Sequence, residues 1–522
     1  MTYAPSYRTT LAALALLGAG VALVSAAAPA LGQSEAAAGL PAHTTTERVE
    51  ELIGALNSGS RDVIAAFVDD RYTDEYSGFG SARSLTNYWL SVAREIGPME
   101  IVRFEPLDLG ERTLEVYWVR GTGTRFWFGV RLDVEEEPPH RIEGNSVTRG
   151  FRPRGGPRVD PSAVGTDPFD PGRLSAYLDA WLSTAAAGGQ FSGSVAVLKD
   201  GQPVYEAGFG LADRERGIEA SPETPFRLAS VTKMFTGVAI AQLAEAGRLS
   251  YDDPLSRFVP EYPRHIADQV TVHHLLTHTS GIEIDDDPDF NRAVARATSL
   301  RDLLEAQLTY IERLNRGNYD DFEPLTEFDY TNEGIDLLGI IVERVSGKPW
   351  DRYLRDHVLA PADMATTGPH VLDPPAGLAV PYSVRAPGGG WLAERRAVEA
   401  GSMMGTGRIR PAGSGWSTAP DMARFVRALT DGTLLGAESY ARMTAPQVEL
   451  PSLPGEEMAY GYTLDVARRN GHRTLGHGGG APGISTRVAW YPEDGWTVIV
   501  LSNLDRAGSH VFRHIEEMLG VR

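Results

Sequence analysis

Phe226-Arg227-Leu228-Ala229-Ser230-Val231-Thr232-Lys233 leads into an apolar run, Phe235, Val238, Ala239 and Leu243, whose helical spacing ends at Gly247. The pattern predicts that Ser230 starts a helix, with Lys233 one turn later on the same face and Gly247 as its C-terminal cap. A serine hydroxyl is a weak nucleophile until a base removes its proton. A lysine amine within hydrogen-bond reach does this when burial or a neighbouring cation lowers its pKa. The helix N-terminus adds positive partial charge where an oxyanion would form, with the Ser230 N–H as one donor. The chain holds three lysines, Lys199, Lys233 and Lys348, and 31 serines in 522 residues, so chance supplies this serine-lysine spacing about 0.2 times.

Two further segments add to this pair. Glu327-Phe328-Asp329-Tyr330-Thr331-Asn332-Glu333-Gly334 places a tyrosine and an asparagine two apart, ahead of the helical run Ile335 to Ile341. Leu475-Gly476-His477-Gly478-Gly479-Gly480-Ala481-Pro482-Gly483 sets a histidine before three glycines, where side chains are absent and a substrate can approach the backbone closely. No Gly-x-Ser-x-Gly elbow of the α/β-hydrolase type occurs.

Ser-Val-Thr-Lys at 230–233, Tyr-Thr-Asn at 330–332 and His-Gly-Gly at 477–479 together resemble the serine β-lactamase and penicillin-binding protein superfamily, in its class C-like branch of esterases, D-aminopeptidases and β-lactamase-related proteins. Leu275-Leu276-Thr277-His278-Thr279-Ser280-Gly281 and Trp416-Ser417-Thr418-Ala419-Pro420-Asp421 are lesser matches, and the resemblance covers 173–522. It implies Ser230 as nucleophile, Lys233 as general base and Tyr330 as proton shuttle. Asn332 would orient Lys233 and substrate, and His477 and Gly479 would line the substrate strand. The Gly480 N–H would be the second oxyanion donor. The implied chemistry is acyl transfer through an ester at Ser230 on a small-molecule ester, amide or peptide, with no metal or organic cofactor. A true class C-like β-lactamase and a non-hydrolytic penicillin-binding or sensor module are the alternatives.

One departure is informative. β-Lactamases usually carry lysine where this chain has His477, and a histidine with an ordinary pKa of about 6.5 is mostly neutral at pH 7. His477 could still donate a hydrogen bond, and Arg487 on the following strand could supply the missing charge. The substitution shifts the expectation from β-lactamase toward esterase or peptidase.

The remaining sequence frames this unit. With 49 basic and 69 acidic residues the net charge is −20, which gives no general reason to bind nucleic acid. There is no cysteine, so disulfides and thiolate chemistry are excluded. Arg8, the apolar run Leu11 to Ser25 and small residues through Gly32 have the layout of a secretory signal peptide over 1–32. The expectation is therefore an exported protein, periplasmic or secreted, with no stable membrane span after signal removal.

Residues 41–150 read as a small α+β domain, NTF2-like in its order of elements. Thr46 would cap a first helix, a second would carry Ile64, Phe67 and Val68, and alternating strands follow. The aromatics Tyr117, Trp118, Phe126, Trp127 and Phe128 are expected in sheet core. A Pro/Gly-rich linker over 151–172 precedes an α/β β-lactamase-like domain, 173–522, whose antiparallel sheet, flanked by helices, is assembled from both ends around a helical region: a hairpin of Ser194 to Leu198 and Pro203 to Gly208 about Asp200-Gly201 near its start, and strands Ile484 to Tyr491 and Trp496 to Leu501, just after the His-Gly-Gly segment, near its end. His273, His274 and His278 are expected to cap or pack rather than bind zinc, since no glutamate lies between them and no third ligand is evident. The acidic stretch Glu283 to Asp289 lacks a calcium-loop pattern and is expected to be a solvated loop.

Overall fold

Asp200 and Gly201 both adopt positive φ, +50° and +74°, which is what a two-residue hairpin turn matched to strand twist requires. They join strand β5, Gly193–Lys199, to β6, Gln202–Phe209, as the sequence predicts. The description here rests on a computed structural model and covers residues 44–521 apart from 74–84, 87, 91, 94–97, 109–112, 122–126, 136–137, 150–169, 283, 285–287, 319–323, 325–327, 386–390, 399–407 and 451–455. The expected signal peptide, most of the linker and most of the acidic stretch lie outside these residues.

In the N-terminal unit, helices α1, Thr44–Asn57, and α2, Arg61–Arg71, cover one face of an antiparallel meander. Its strands are β1, Met99–Asp108, β2, Thr113–Gly121, β3, Trp127–Val134, and β4, Ile142–Arg149. Strand alternation sorts the aromatics: Tyr117 and Val119 join the helices in one core, while Val116 and Trp118 face the other way. Thr46 is not a cap. It lies inside the first turn of α1, where its hydroxyl bonds the Tyr117 hydroxyl at 2.8 Å, so a tertiary partner outcompeted the local capping role.

The second unit opens with α3, Pro171–Ala187, whose proline occupies the first turn while Asp170 accepts from the Gly172 N–H at 2.9 Å. Pro171 thus belongs to the helix and not to the linker. The central sheet has eight antiparallel strands in the order β7-β8-β9-β10-β11-β12-β5-β6. Here β7 is Val448–Glu449, β8 is Glu456–Tyr460, β9 is Asp465–Arg469, β10 is His472–Ala481, β11 is Ile484–Tyr491 and β12 is Trp496–Ser502. The sequence reading anticipated β5, β6, β11 and β12. It placed the His-Gly-Gly segment ahead of the strands, whereas that segment is strand β10 itself.

One sheet face packs on α3 and the C-terminal helix α10, Ala507–Leu519. The other packs on the helical region: α4, Lys233–Glu245, α5, Val272–Thr277, α6, Pro288–Arg296, α7, Leu300–Asn318, α8, Glu333–Ser346, and α9, Ala419–Thr430. Ten of the 13 residues of α4 are buried, so it is a core helix rather than an amphipathic surface one. Among the described residues no helix is long and apolar enough to cross a membrane.

Candidate active site

Ser230 lies in a 3₁₀ turn, Ala229–Thr232, and Lys233 opens the α-helix that follows. The serine therefore precedes the helix rather than starting it, one 3₁₀ turn ahead of its N-terminus. Ala229 is held at φ +46°, a conformation costing a non-glycine residue on the order of 1–3 kcal/mol. The flanking carbonyls show what holds it there. The Thr486 hydroxyl donates to the Leu228 carbonyl at 2.8 Å, and the Thr232 hydroxyl to the Ala229 carbonyl at 2.7 Å.

The Lys233 side chain is fully buried. Its Nζ stands 3.1 Å from Ser230 Oγ, 2.8 Å from Asn332 Oδ1 and 2.8 Å from the Ala412 carbonyl oxygen. Asn332 reaches this point because it is the N-cap residue of α8. The Ala412 carbonyl is positioned from behind: Asp336 accepts from the Ala412 N–H at 3.2 Å and from Arg410 Nε at 2.7 Å, and Arg410 Nη2 donates to Glu333 at 2.7 Å. All three charged side chains are at most 1% exposed, so the network depends on remaining paired.

Tyr330 brings its ring to the same amine, with Nζ 4.7 Å from the ring centroid, and at 40% exposed it also borders solvent. Its position is fixed through His278, the left-handed C-cap of α5. The His278 ring packs against that of Tyr330, centroids 4.3 Å apart and planes tilted by 35°. The Asp329 N–H donates to the His278 carbonyl at 2.8 Å, and the Thr331 N–H to His278 Nδ1 at 3.3 Å. Both neighbours of Tyr330 are thus tied to one histidine.

Strand β10 forms the opposite wall. Pairing with β9 stops at Gly476, so among the described strands His477 to Ala481 pairs only with β11. Gly479 passes so close to Leu228 that a Cβ would lie 2.1 Å from its carbonyl oxygen, whereas a Cβ on exposed Gly480 would meet open space. His477 is buried and both ring nitrogens are engaged: Nε2 with the Tyr460 hydroxyl at 3.1 Å, Nδ1 with the Gly478 carbonyl at 2.5 Å. Burial pushes its pKa down to about 4, so it is neutral at pH 7. Arg487 does not supply the missing charge. It pairs in register with Gly478, on the sheet face opposite His477, where its guanidinium meets Asp465 at 2.8 Å and lies over Phe512.

A family model described as Beta-lactamase matches residues 178–520. The chain belongs to the beta-lactamase family. Within this serine β-lactamase and penicillin-binding protein superfamily it is 30% identical over 277 residues to a penicillin-binding protein, PbpX, of Bacillus subtilis, covering 53% of this chain and 62% of that one. It is 34% identical over 244 residues to the esterase EstB of Burkholderia gladioli, covering 43% of this chain and 58% of that one. The chain thus spans about three fifths of the length of each. The crystal structure of a penicillin-binding protein from Bacillus halodurans superposes with a TM-score of 0.54 at 29% identity, over 64% of this chain and 98% of that one.

Several residues of this beta-lactamase-family site were not singled out from the sequence. Glu333 follows the Tyr-Thr-Asn motif directly and Asp336 comes three residues later, and carboxylates there, just ahead of the apolar run Leu337 to Val342, were the available signal. His278 lay within the flagged Leu-Leu-Thr-His-Thr-Ser-Gly stretch but was assigned only to capping or packing. It does cap and pack, and it also grips Tyr330. His274 closes a capping box with Thr271, and His273 Nδ1 meets the Tyr462 hydroxyl at 3.0 Å. Arg410, Ala412 and Tyr460 carried no local signal.

Proposed function

We propose that this protein is an exported serine hydrolase that cleaves an ester, and secondarily an amide, through an acyl-enzyme at Ser230. The carrying observation is the Lys233 nitrogen, 3.1 Å from Ser230 Oγ and 2.8 Å from two carbonyl oxygens. A neutral amine has two N–H bonds and one lone pair. With the N–H bonds directed at Asn332 Oδ1 and the Ala412 oxygen, the lone pair is left for the serine proton. As Oγ bonds to the substrate carbonyl carbon, that proton moves to Nζ, and the oxyanion collects at the Ser230 and Gly480 N–H groups. Tyr330 relays the proton to the leaving oxygen as the carbonyl–oxygen bond breaks and the alcohol departs. Water then attacks the acyl-serine, the same groups accept its proton, and Ser230 is restored.

The preference for uncharged esters follows from the wall at β10. Neither neutral His477 nor Arg487, on the far sheet face, presents a cation to a substrate carboxylate. The EstB relative supports the same reading. The test is hydrolysis of nitrophenyl esters, D-amino acid amides and a chromogenic cephalosporin by wild type and Ser230→Ala. Ester turnover that vanishes in the variant supports the proposal, and full turnover in Ser230→Ala overturns it. Mass spectrometry after a fluorophosphonate or penicillin probe separates a hydrolase from a sensor, since a persistent penicillin adduct without ester turnover marks the latter.

Export is supported by the Arg8 to Gly32 layout and is checked by the N-terminal residue of the mature protein. The NTF2-like reading of 41–150 is supported by two helices ahead of one antiparallel sheet.

A further inference from the structure

Resting on the assignment of Tyr330 as proton carrier, we propose that His278 and Tyr460 are positioning residues, which lock Tyr330 to the third-motif strand through a one-way hydrogen-bond chain from the Thr331 N–H to the Gly478 carbonyl. The chain has four links. The Thr331 N–H meets His278 Nδ1 at 3.3 Å, and His278 Nε2 meets the Tyr460 oxygen at 3.2 Å. The Tyr460 hydroxyl meets His477 Nε2 at 3.1 Å, and His477 Nδ1 meets the Gly478 carbonyl at 2.5 Å.

The two ends dictate every proton between them. A backbone N–H can only donate, so His278 Nδ1 accepts and the ring of a neutral His278 carries its proton on Nε2. A backbone carbonyl can only accept, so His477 carries its proton on Nδ1 and offers Nε2 as acceptor. Tyr460 is then obliged to accept from His278 and donate to His477, which a phenol does with no proton to spare. The assignments from the two ends agree, and they require three neutral groups. Burial supplies that condition, pushing His278 well below the ordinary histidine range and Tyr460 well above the ordinary tyrosine range.

The chain terminates on the groups that matter for acylation. At one end His278 holds Tyr330 three ways: by the tilted ring contact at 4.3 Å, by its carbonyl to the Asp329 N–H and by its Nδ1 to the Thr331 N–H. At the other, Gly478 lies two residues before Gly480 on β10. Phe328 packs against this buried pair, its ring 5.1 Å from that of Tyr460 and 5.5 Å from that of His278. Removing the Tyr460 hydroxyl leaves a buried donor on His278 and a buried acceptor on His477 without partners, so the His278 ring loses the contact that fixes its tilt against Tyr330.

The test is steady-state hydrolysis of a nitrophenyl ester by the full chain as wild type, Ser230→Ala, Tyr330→Phe, Tyr460→Phe and the Tyr330→Phe/Tyr460→Phe double variant, each with a thermal unfolding scan. Tyr460→Phe should lower kcat about tenfold with KM within about twofold, and should change the rate less than about twofold once Tyr330 is already phenylalanine. Wild-type kcat in Tyr460→Phe overturns the proposal. So does an equal loss in both backgrounds, since a merely structural role would be felt in each. If Tyr460→Phe does not fold, His278→Asn, whose asparagine tolerates the left-handed backbone, is held to the same two expectations. Full rate in Ser230→Ala removes the hydrolase reading itself, whereas an inactive Ser230→Ala beside an unaffected Tyr460→Phe removes only this inference.

Discussion

Lys233 and His477 are both buried nitrogen bases, 0% and 4% exposed, yet their surroundings differ in kind. Lys233 meets two carbonyl oxygens and a hydroxyl, and behind the Ala412 carbonyl two carboxyl groups face a single guanidinium. His477 meets a phenol and a backbone carbonyl, and the nearby Asp465 is engaged by Arg487 on the other sheet face. The first environment receives a proton without stranding it, because acceptor oxygens already surround the nitrogen. The second makes a proton costly and keeps the wall neutral. In the proposed reaction the α4 side handles protons and the β10 side supplies shape and backbone.

Breaking the α4 side should have the largest effect. Lys233→Met is expected to lower ester kcat/KM about a thousandfold or more, with unchanged circular dichroism, and a loss below about tenfold would remove the amine from its role. Arg410→Met removes the guanidinium that pairs with buried Glu333 and Asp336. It should cost about 3–5 kcal/mol in urea unfolding, and Ser230 labelling by a fluorophosphonate should slow at temperatures where the variant is still folded.

The β10 side gives a pH signature. Burial lowers the folded pKa of His477 to about 4, below its ordinary 6.5, so its neutral form stabilises the fold above pH 6.5 and that contribution is lost as pH falls toward 4. The loss is about 3 kcal/mol over this window, with buried His278 acting in the same sense. Urea midpoints at pH 7.5, 6, 5 and 4 should trace it, and His477→Gln should flatten the curve. Arg487→Ala should change least: below about 1 kcal/mol in stability, as for a part-exposed ion pair, and within about twofold in ester turnover. A large loss of turnover in Arg487→Ala would place charge back in the substrate wall and erase the contrast between the two sides.

How much of this was readable in advance depends on how far apart in the chain the cooperating groups lie. Ser230 and Lys233 are three residues apart, and helical spacing alone brings them together. Tyr330 and Asn332 come from another segment, and their pattern placed them at the mouth of α8. The β5–β6 hairpin was legible because Asp200-Gly201 is turn chemistry between two β-rich runs. Strands β8, β9 and β10 were not. Glu456-Glu457-Met458-Ala459-Tyr460, Asp465-Val466-Ala467-Arg468-Arg469 and the glycines of β10 show neither clean alternation nor β-propensity, and they are strands because their neighbours pair with them. The His278–Tyr460 link joins residues 182 apart and the Arg410–Asp336 link residues 74 apart, distances no local pattern spans. Arg487 was misplaced for a subtler reason. Ile484 to Tyr491 was legible as a strand, but only the register, His477 opposite Val488 and Gly478 opposite Arg487, reveals which parity looks toward the serine.

The central sheet also constrains how the protein is made. Strand β5 finds its partner in β12, with Lys199 opposite Trp496, so the middle of the sheet cannot close until the long segment between them has been made. A loop of that length is entropically slow to close, which places the second unit among late, high-contact-order folders, while the N-terminal meander is complete as soon as its own four consecutive strands have emerged. A nascent chain stalled before β10 would carry Ser230 and Lys233 with no β10 wall opposite them, so the candidate site is assembled only once that strand has emerged.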